Sequence, residues 1–454
     1  MGHILTKRHL TNDIKNFSPR IIIKNSRFTF LFFCMNIKIN HIAKTEGHFG
    51  FMANVLKGDV KSAKIEVQEG IRLIEGILIG RHYADMPIVA QRICGICPVV
   101  HNLTSIKAIE NAMQVEVREE TIQLRKILEL GQIIHSHALH LFFLSLADFL
   151  DIENDLILTK KYPEETKKAI QVREFGMEIV KIIGGRVVHP LTNEVGGFKK
   201  VPTLEEMRQL IQQGEKTISI ALEIGEFFKK IKLPNFSRPT EYVCLDKKGE
   251  YAIYDGDLVS NKGLRIKVVD FEKNFRELQR PLEMIKRVQS DGKTSYMIGA
   301  IARVNNQHKK LNNNAQKYLD SLGYRLPDFN PFHNILYQMV EVIHSIEESL
   351  KILKVLANGK IENALTKSYR VKAGSAAGAI EAPRGTLYYH VDVDERGYIK
   401  NVNIITPTAQ FLSHLEDDVA AYIPQILGVS GREKEKKLRA LIRAYDPCIS
   451  CAVH

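Results

Sequence analysis

Two C-x-x-C pairs stand far apart in the chain, Cys94 with Cys97 and Cys448 with Cys451. In 454 residues with only six cysteines, that pattern points to metal or redox use of the thiols in a reducing compartment, not to a disulfide framework. Four thiolates suit zinc, an iron-sulfur cluster or nickel. Structural zinc is the commonest use of such a set, but a zinc ribbon keeps both pairs within one small loop-rich module. Here 354 residues separate Cys94 from Cys448, so the pairs meet only if the whole fold closes around them. Cys34 and Cys244 are isolated and read as ordinary thiols.

Composition allows such a fold. Hydrophobic residues make up 44% of the chain, an ordinary globular value that can fill a sizeable core. The net charge of +12 would suit a nucleic-acid or membrane surface, yet basic and acidic residues interleave almost everywhere, which describes a solvated face. Neither nucleic acid nor membrane is expected as a partner. Residues 1–34 are the exception, with six basic residues against Asp13 alone. Their apolar run, residues 28–34, is too short to span a bilayer and no small-residue cleavage site follows it; nothing downstream is long and apolar enough either. The expectation is a cytoplasmic protein in which 1–34 is a non-native or disordered extension and 35–454 forms one domain.

Local patterns give a mainly α, α+β fold. A hairpin is expected over residues 51–67 around Gly58, and another around residues 394–397. Residues 116–150 carry Ile122, Ile127, Leu130, Ile133 and Ile134 at helical spacing. A second helix over 162–183 stops at Gly184-Gly185. Thr203 and Glu206 form a capping box that opens a third, running to about Ile231. Asn330-Pro331 opens a fourth, ending near Asn358. Four long helices favour a central bundle with small peripheral sheets, and residues 235–300 read as irregular strand and loop.

The surroundings of the cysteines narrow the choice of metal. Arg92-Ile-Cys94-Gly-Ile-Cys97-Pro-Val-Val-His101 and Asp446-Pro-Cys448-Ile-Ser-Cys451-Ala-Val-His454 resemble the two signatures of nickel-iron hydrogenase large subunits, and the resemblance extends over most of residues 37–454. It implies that all four cysteines bind nickel, with Cys97 and Cys451 also bridging to an iron that carries carbon monoxide and cyanide. Soft thiolates suit that role, and His101 would support a bridging sulfur from behind.

Other segments match where that family needs them. Glu381-Ala-Pro383-Arg384-Gly385 resembles the loop over the iron, implying that Pro383 and Arg384 flank the cyanides. Thr406-Pro407-Thr408 resembles the segment whose hydroxyl, here on Thr408, bonds the second cyanide. Glu75, the carbonyl of Ile404 and His454 match the ligands of a magnesium or iron ion. Thr45-Glu46-Gly47-His48 resembles a motif whose carboxylate relays protons, so Glu46 is the expected relay from Cys448. Taken singly, Arg384 and Glu75 would read as surface charges and Glu46 as a turn residue; they gain weight because they fit one site together. His135, His137 and His189 are even between core histidines and neighbours of the site. In that family a C-terminal extension is cut after the last histidine once metal is inserted, so the sequence looks like a mature form.

The departures point to a branch. His135-Ser136-His137 stands where respiratory enzymes have His-Asp-His, and Lys44 replaces the usual arginine before Glu46. These features resemble the cytoplasmic bidirectional group, most of all its sulfhydrogenase or NADP-linked branch. That resemblance implies several partners: an iron-sulfur small subunit of the delta type, further iron-sulfur and flavin/NAD(P)-binding diaphorase subunits, and a maturation protease with nickel-insertion factors. A further cysteine cluster for electron relay is missing, as is a G-x-G-x-x-G nucleotide motif after a strand, so partners must supply both. Three other readings stand beside this one: a methanogen-like enzyme feeding heterodisulfide reductase or ferredoxin, a metal-free quinone-module subunit of a respiratory complex, and a zinc-stabilised scaffold. Retention of all four cysteines argues against the second.

Translation is expected to begin at Met35, because no motif precedes it. Intact mass of the native protein will show a chain starting there; a start before Met35 contradicts this.

Overall fold

The structure is a computed structural model that describes residues 34–152, 155–281 and 283–454. Apart from Cys34, the expectation for residues 1–34 lies outside the described residues. A three-stranded antiparallel sheet opens the described chain, β1 (Cys34–Ile39), β2 (Phe49–Leu56) and β3 (Asp59–Val67). β2 and β3 are the expected first hairpin, turning at Gly58 with φ +87°, where no β-carbon must be accommodated.

The bundle is built from α1 (Pro98–Met113), α2 (Glu119–Leu139), α3 (Pro163–Gly184), α4 (Leu204–Lys229) and, after the irregular middle region and α5 (Ala300–Gln307), α6 (Asn334–Ala357). α2 packs against α3 and α6, and α4 against α3 and α6. The capping box at Thr203 forms as expected: Glu206 N–H donates to Thr203 Oγ1 at 3.2 Å, and Thr203 N–H to Glu206 Oε2 at 2.7 Å. Asn330 accepts from Phe332 N–H, but one 3-10 turn, Pro331–His333, intervenes before α6.

α1 fell outside the helical expectation. Nearly all of its residues are buried, so its sequence shows no polar face and no helical period to read. The helix expected over 116–150 runs as α2, then as a π-helical turn, His140–Ser145, then to Phe149. His140 explains the insertion: Nδ1 meets Gln338 Oε1 at 2.6 Å and Nε2 meets the Arg443 carbonyl at 2.7 Å, and Ser145 Oγ bonds back to two carbonyls of the turn. Contrary to the sequence reading, the continuous segment Glu119–Phe149 is long and apolar enough to cross a membrane; 78% of its apolar window is buried inside the protein, as a core helix.

A second antiparallel sheet carries the C-terminal half of the site: β4 (Gly374–Ala382), β5 (Gly385–Val393) and β6 (Ile399–Ile405). β5 and β6 are the hairpin expected around 394–397. α7 (Pro407–Tyr422) follows β6 directly, α8 (Gly431–Ala444) leads into the second cysteine pair, and one turn, α9 (Ile449–Ala452), nearly closes the chain.

At the crossing of α2 and α3 the backbones touch. A β-carbon on Gly176 would lie 2.6 Å from the Gly131 carbonyl and 2.7 Å from His135 N. Gly176→Ala is therefore expected to destabilise the fold by about 1–3 kcal/mol although alanine is the better helix former, because the helices must separate. Denaturant unfolding measures this; an unchanged or raised midpoint contradicts it.

Candidate metal centre

Each cysteine pair is presented by a bend that leads into a helix. Cys94 is extended, Cys97 caps α1 with Pro98 at its first position, and Ile96 and Cys97 N–H donate to Cys94 Sγ at 3.3 and 3.4 Å. Cys448 precedes α9 and Cys451 lies within it. Asp446 makes the turn before Cys448 at φ +54°, a left-handed conformation that aspartate tolerates better than most residues.

The fold brings the pairs together. Cys94 Sγ lies 3.6 Å from Cys448 Sγ, Cys97 Sγ 3.3 Å from Cys451 Sγ, and Cys448 Sγ 2.9 Å from Cys451 Sγ. All four sulfurs fall within 4.8 Å of one another, all are buried, and none is in a disulfide. The thiols cannot all ionise in that space. Hydrogen bonding from Cys448 drives Cys94 well below its ordinary range, while burial pushes Cys448 and Cys451 up. A divalent cation removes the conflict, since a coordinating thiol loses its proton. Spacing, burial and softness all fit a thiolate-bound metal.

Arg384 sits beside this set. Its Nε donates to the Asp446 carbonyl and Nη2 to Asp446 Oδ1, both at 2.7 Å, while Nη1 reaches only Ser136 Oγ at 3.5 Å. Burial would lower its pKa, but Asp446 and the nearby thiols raise it overall, so it stays charged. Thr408 Oγ1 accepts from Cys448 N–H at 2.9 Å, leaving its own O–H to donate. His101 Nδ1 pairs with Tyr389 Oη at 2.8 Å, and burial takes the ring's pKa down to about 3, so it is neutral. Pro383 contributes backbone to the loop beneath Arg384, its carbonyl accepting from Arg303 Nη2 at 3.1 Å.

Glu46 lies against the second pair: its backbone bridges Cys448, and Ile449 N–H donates to its carbonyl at 2.8 Å. Gly47 permits the approach, because a β-carbon there would lie 2.8 Å from Ile449 Cβ and 2.9 Å from Ser450 N. Burial and the neighbouring Cys94 raise the Glu46 pKa. On the other side of the C-terminus, His454 Nε2 is 3.7 Å from Glu75 Oε1, and Ile404 meets the same oxygen through its N–H at 2.8 Å.

The histidines divide. His137 Nε2 bonds Glu341 Oε2 at 2.8 Å. His135 Nδ1 is buried without a partner, and His189 takes a positive φ of 60° with its Nδ1 likewise buried and unpartnered. Arg72 escaped the sequence reading. Its Nη2 donates to the carbonyls of Ile93 and Ser450, one beside each cysteine pair, and its backbone N–H to the Val453 carbonyl at 3.0 Å. An isolated arginine next to exposed apolar residues gives no sequence signal of that kind.

A buried four-thiolate centre, closed by the two cysteine pairs and overlooked by a paired arginine, thus defines a metalloprotein of the redox type. Known proteins make the class specific. A family profile described as nickel-dependent hydrogenase matches residues 72–170 and 293–454. The alpha subunit of sulfhydrogenase 1 from Pyrococcus furiosus is 30% identical over 421 residues, covering 92% of this chain and 97% of that protein. The beta subunit of the NAD-reducing hydrogenase HoxS from Cupriavidus necator is 26% identical over 92% of this chain and 94% of its own length. A solved structure of an NAD+-reducing [NiFe]-hydrogenase in the H2-reduced state superposes with a TM-score of 0.85 at 25% identity, covering 92% of this chain and 99% of that one. The chain belongs to the nickel-dependent hydrogenase family. It is the catalytic large subunit of a nickel-iron hydrogenase, an oxidoreductase acting on hydrogen.

Replacing Cys97 or Cys451 by serine is expected to abolish nickel incorporation, since an alcohol oxygen is a poor ligand for a soft metal and stays protonated at neutral pH. Elemental analysis checks it; native nickel content in either variant contradicts the assignment.

Proposed function

We propose that Cys94, Cys97, Cys448 and Cys451 hold nickel, that Cys97 and Cys451 are shared with iron, and that the iron carries carbon monoxide and cyanide. When bound, that group supplies the cleavage and formation of hydrogen. The residues around it fit such diatomic ligands: Arg384 has N–H groups not spent on Asp446, and Thr408 has an uncommitted O–H. Pro383 lines the same loop. With Tyr389 donating to Nδ1, His101 carries its proton on Nε2, where it can support a sulfur. Glu75, the Ile404 carbonyl and His454 hold a magnesium or iron ion that ties the C-terminus down.

The chain's own chemistry is proton handling. Cys448 is the thiolate that accepts the proton released from hydrogen, because Arg384 and Thr408 steady its surroundings from two sides. Glu46 takes that proton onward. A carboxylate with a raised pKa can accept a proton near neutral pH and release it again, and Glu46 sits where its backbone already bridges Cys448. This juxtaposition of Glu46 and Cys448 is the observation that carries the reading. Ser136, in place of an acid, removes one alternative acceptor near Arg384.

Electrons leave through an iron-sulfur small subunit of the delta type, because Cys244 is buried outside the four-sulfur cluster and no second cysteine accompanies it. The likeness to sulfhydrogenase and NAD-reducing enzymes supports delivery through iron-sulfur and flavin/NAD(P)-binding diaphorase subunits to NAD(P) or to sulfur or polysulfide. A maturation protease and nickel-insertion factors would complete the centre. Reduced, buried thiols suit the cytoplasm. A second reading, electron transfer to heterodisulfide reductase or ferredoxin, is favoured by a 30% likeness over 453 residues to the vhc F420-non-reducing hydrogenase of Methanococcus voltae.

Glu46→Gln keeps shape and hydrogen bonding but cannot carry a proton. It is expected to retain nickel and iron while hydrogen-deuterium exchange and hydrogen turnover fall about 100-fold or more, the scale of a lost general acid-base group. Isotope exchange on the metallated variant measures this; near-native exchange sends the protons by another route.

A further inference from the structure

Arg303, on α5, is fully buried, and no solvent reaches its charge. Each of its five N–H groups has a partner. Nε and Nη2 grip Glu341 of α6 in a two-pronged pair, at 2.6 Å to Oε1 and 2.7 Å to Oε2. Nη1 donates to Glu381 Oε2 at 2.8 Å and to the Ala382 carbonyl at 2.9 Å, and the remaining Nη2 proton goes to the Pro383 carbonyl at 3.1 Å. Three successive residues, Glu381, Ala382 and Pro383, are therefore held by one guanidinium, and the next residue is Arg384.

The anchor is itself fixed. Glu341 also accepts from Tyr251 Oη at 2.7 Å and pairs with His137 on α2, so α2, α5 and α6 converge on one carboxylate. Burial alone would raise the Glu341 pKa, but Arg303 reverses this and keeps it ionised. The start of α5 presses on the loop from the other side: a β-carbon on Gly385 would lie 2.5 Å from the Ile298 side chain and 2.8 Å from Gly299 N. A buried ion network of this kind adds little net stability over packed apolar side chains, because desolvation offsets its attraction. Its specific effect is geometric: a planar fork with five fixed directions holds main-chain carbonyls in a way that a point charge cannot.

We propose that Arg303 is a positioning residue for hydrogen turnover: it fixes the 381–383 segment against Glu341 and thereby aims the Arg384 guanidinium at the four thiols. The inference rests on the reading of Arg384 given above. Arg303 touches none of the four cysteines and acts only through the loop.

The test uses the full chain in two forms, before metal insertion and in the assembled complex. In the metal-free chain, amide hydrogen exchange is followed on the peptide spanning residues 381–387. Arg303→Lys keeps the charge but cannot reach both carboxylates and both carbonyls, and Glu341→Gln, the milder change, loosens the anchor; each is expected to speed exchange there about tenfold or more as local opening becomes easier. In the assembled complex Arg303→Lys should keep its nickel, shift the cyanide infrared bands in the same direction as Arg384→Lys, and lower kcat with little change in KM for hydrogen. The double variant should be no slower than Arg384→Lys alone. Unchanged exchange in both Arg303→Lys and Glu341→Gln overturns the proposal, as do rate losses that multiply in the double variant. If Arg384→Lys alone keeps native bands and rate, the reading of Arg384 falls, and the exchange result still decides whether Arg303 holds the loop. If Arg384→Lys is impaired and Arg303→Lys is native, only the present inference falls.

Discussion

Four buried sulfurs within 4.8 Å of one another form an arrangement that the protein alone does not satisfy. As thiolates they repel one another in a medium of low dielectric, and as thiols they offer only weak hydrogen bonds. A divalent cation resolves this, and the rest of the fold serves to hold both pairs in place until it does. Local structure cannot do so, because the pairs are separated by most of the chain. The bundle and the β4–β6 sheet carry the first and second pair to the same point, and Arg72 bonds a carbonyl beside each.

Around that centre the charged residues form two shells with different tasks. Arg384 and Asp446 face the sulfurs, and their pairing leaves part of the guanidinium unspent. Arg303, Glu341 and Glu381 lie behind them and are fully spent on one another and on the backbone. The first arrangement leaves donors available for a ligand, whereas the second leaves none. Glu46 stands apart from both: half-buried and placed by backbone contact with Cys448, it keeps its carboxyl free to change protonation state.

Much of this was legible in the sequence, and what was missed was missed for physical reasons. The cysteine pairs, Arg384, Thr408 and Glu46 were found because each lies in a short contiguous motif, and the structure brings them together. Helices with a polar face, such as the one capped at Thr203, were read from their period. α1 and α7 were not, because burial on nearly every side leaves no alternation to detect. Arg72 and the Arg303–Glu341 pair were invisible as structural elements, since their partners lie up to 378 residues away in the chain and no local pattern encodes such a contact. The π-helical turn at His140 likewise depends on Gln338 and Arg443, which the sequence of that helix does not contain.

The central claim is that the four thiolates hold a nickel-iron group and not another soft metal. Elemental analysis combined with infrared spectroscopy of the purified complex tests it most directly. The account predicts nickel in the large subunit together with stretching bands of carbon monoxide and cyanide bound to iron. One zinc per chain, with no nickel and no such bands, would contradict it.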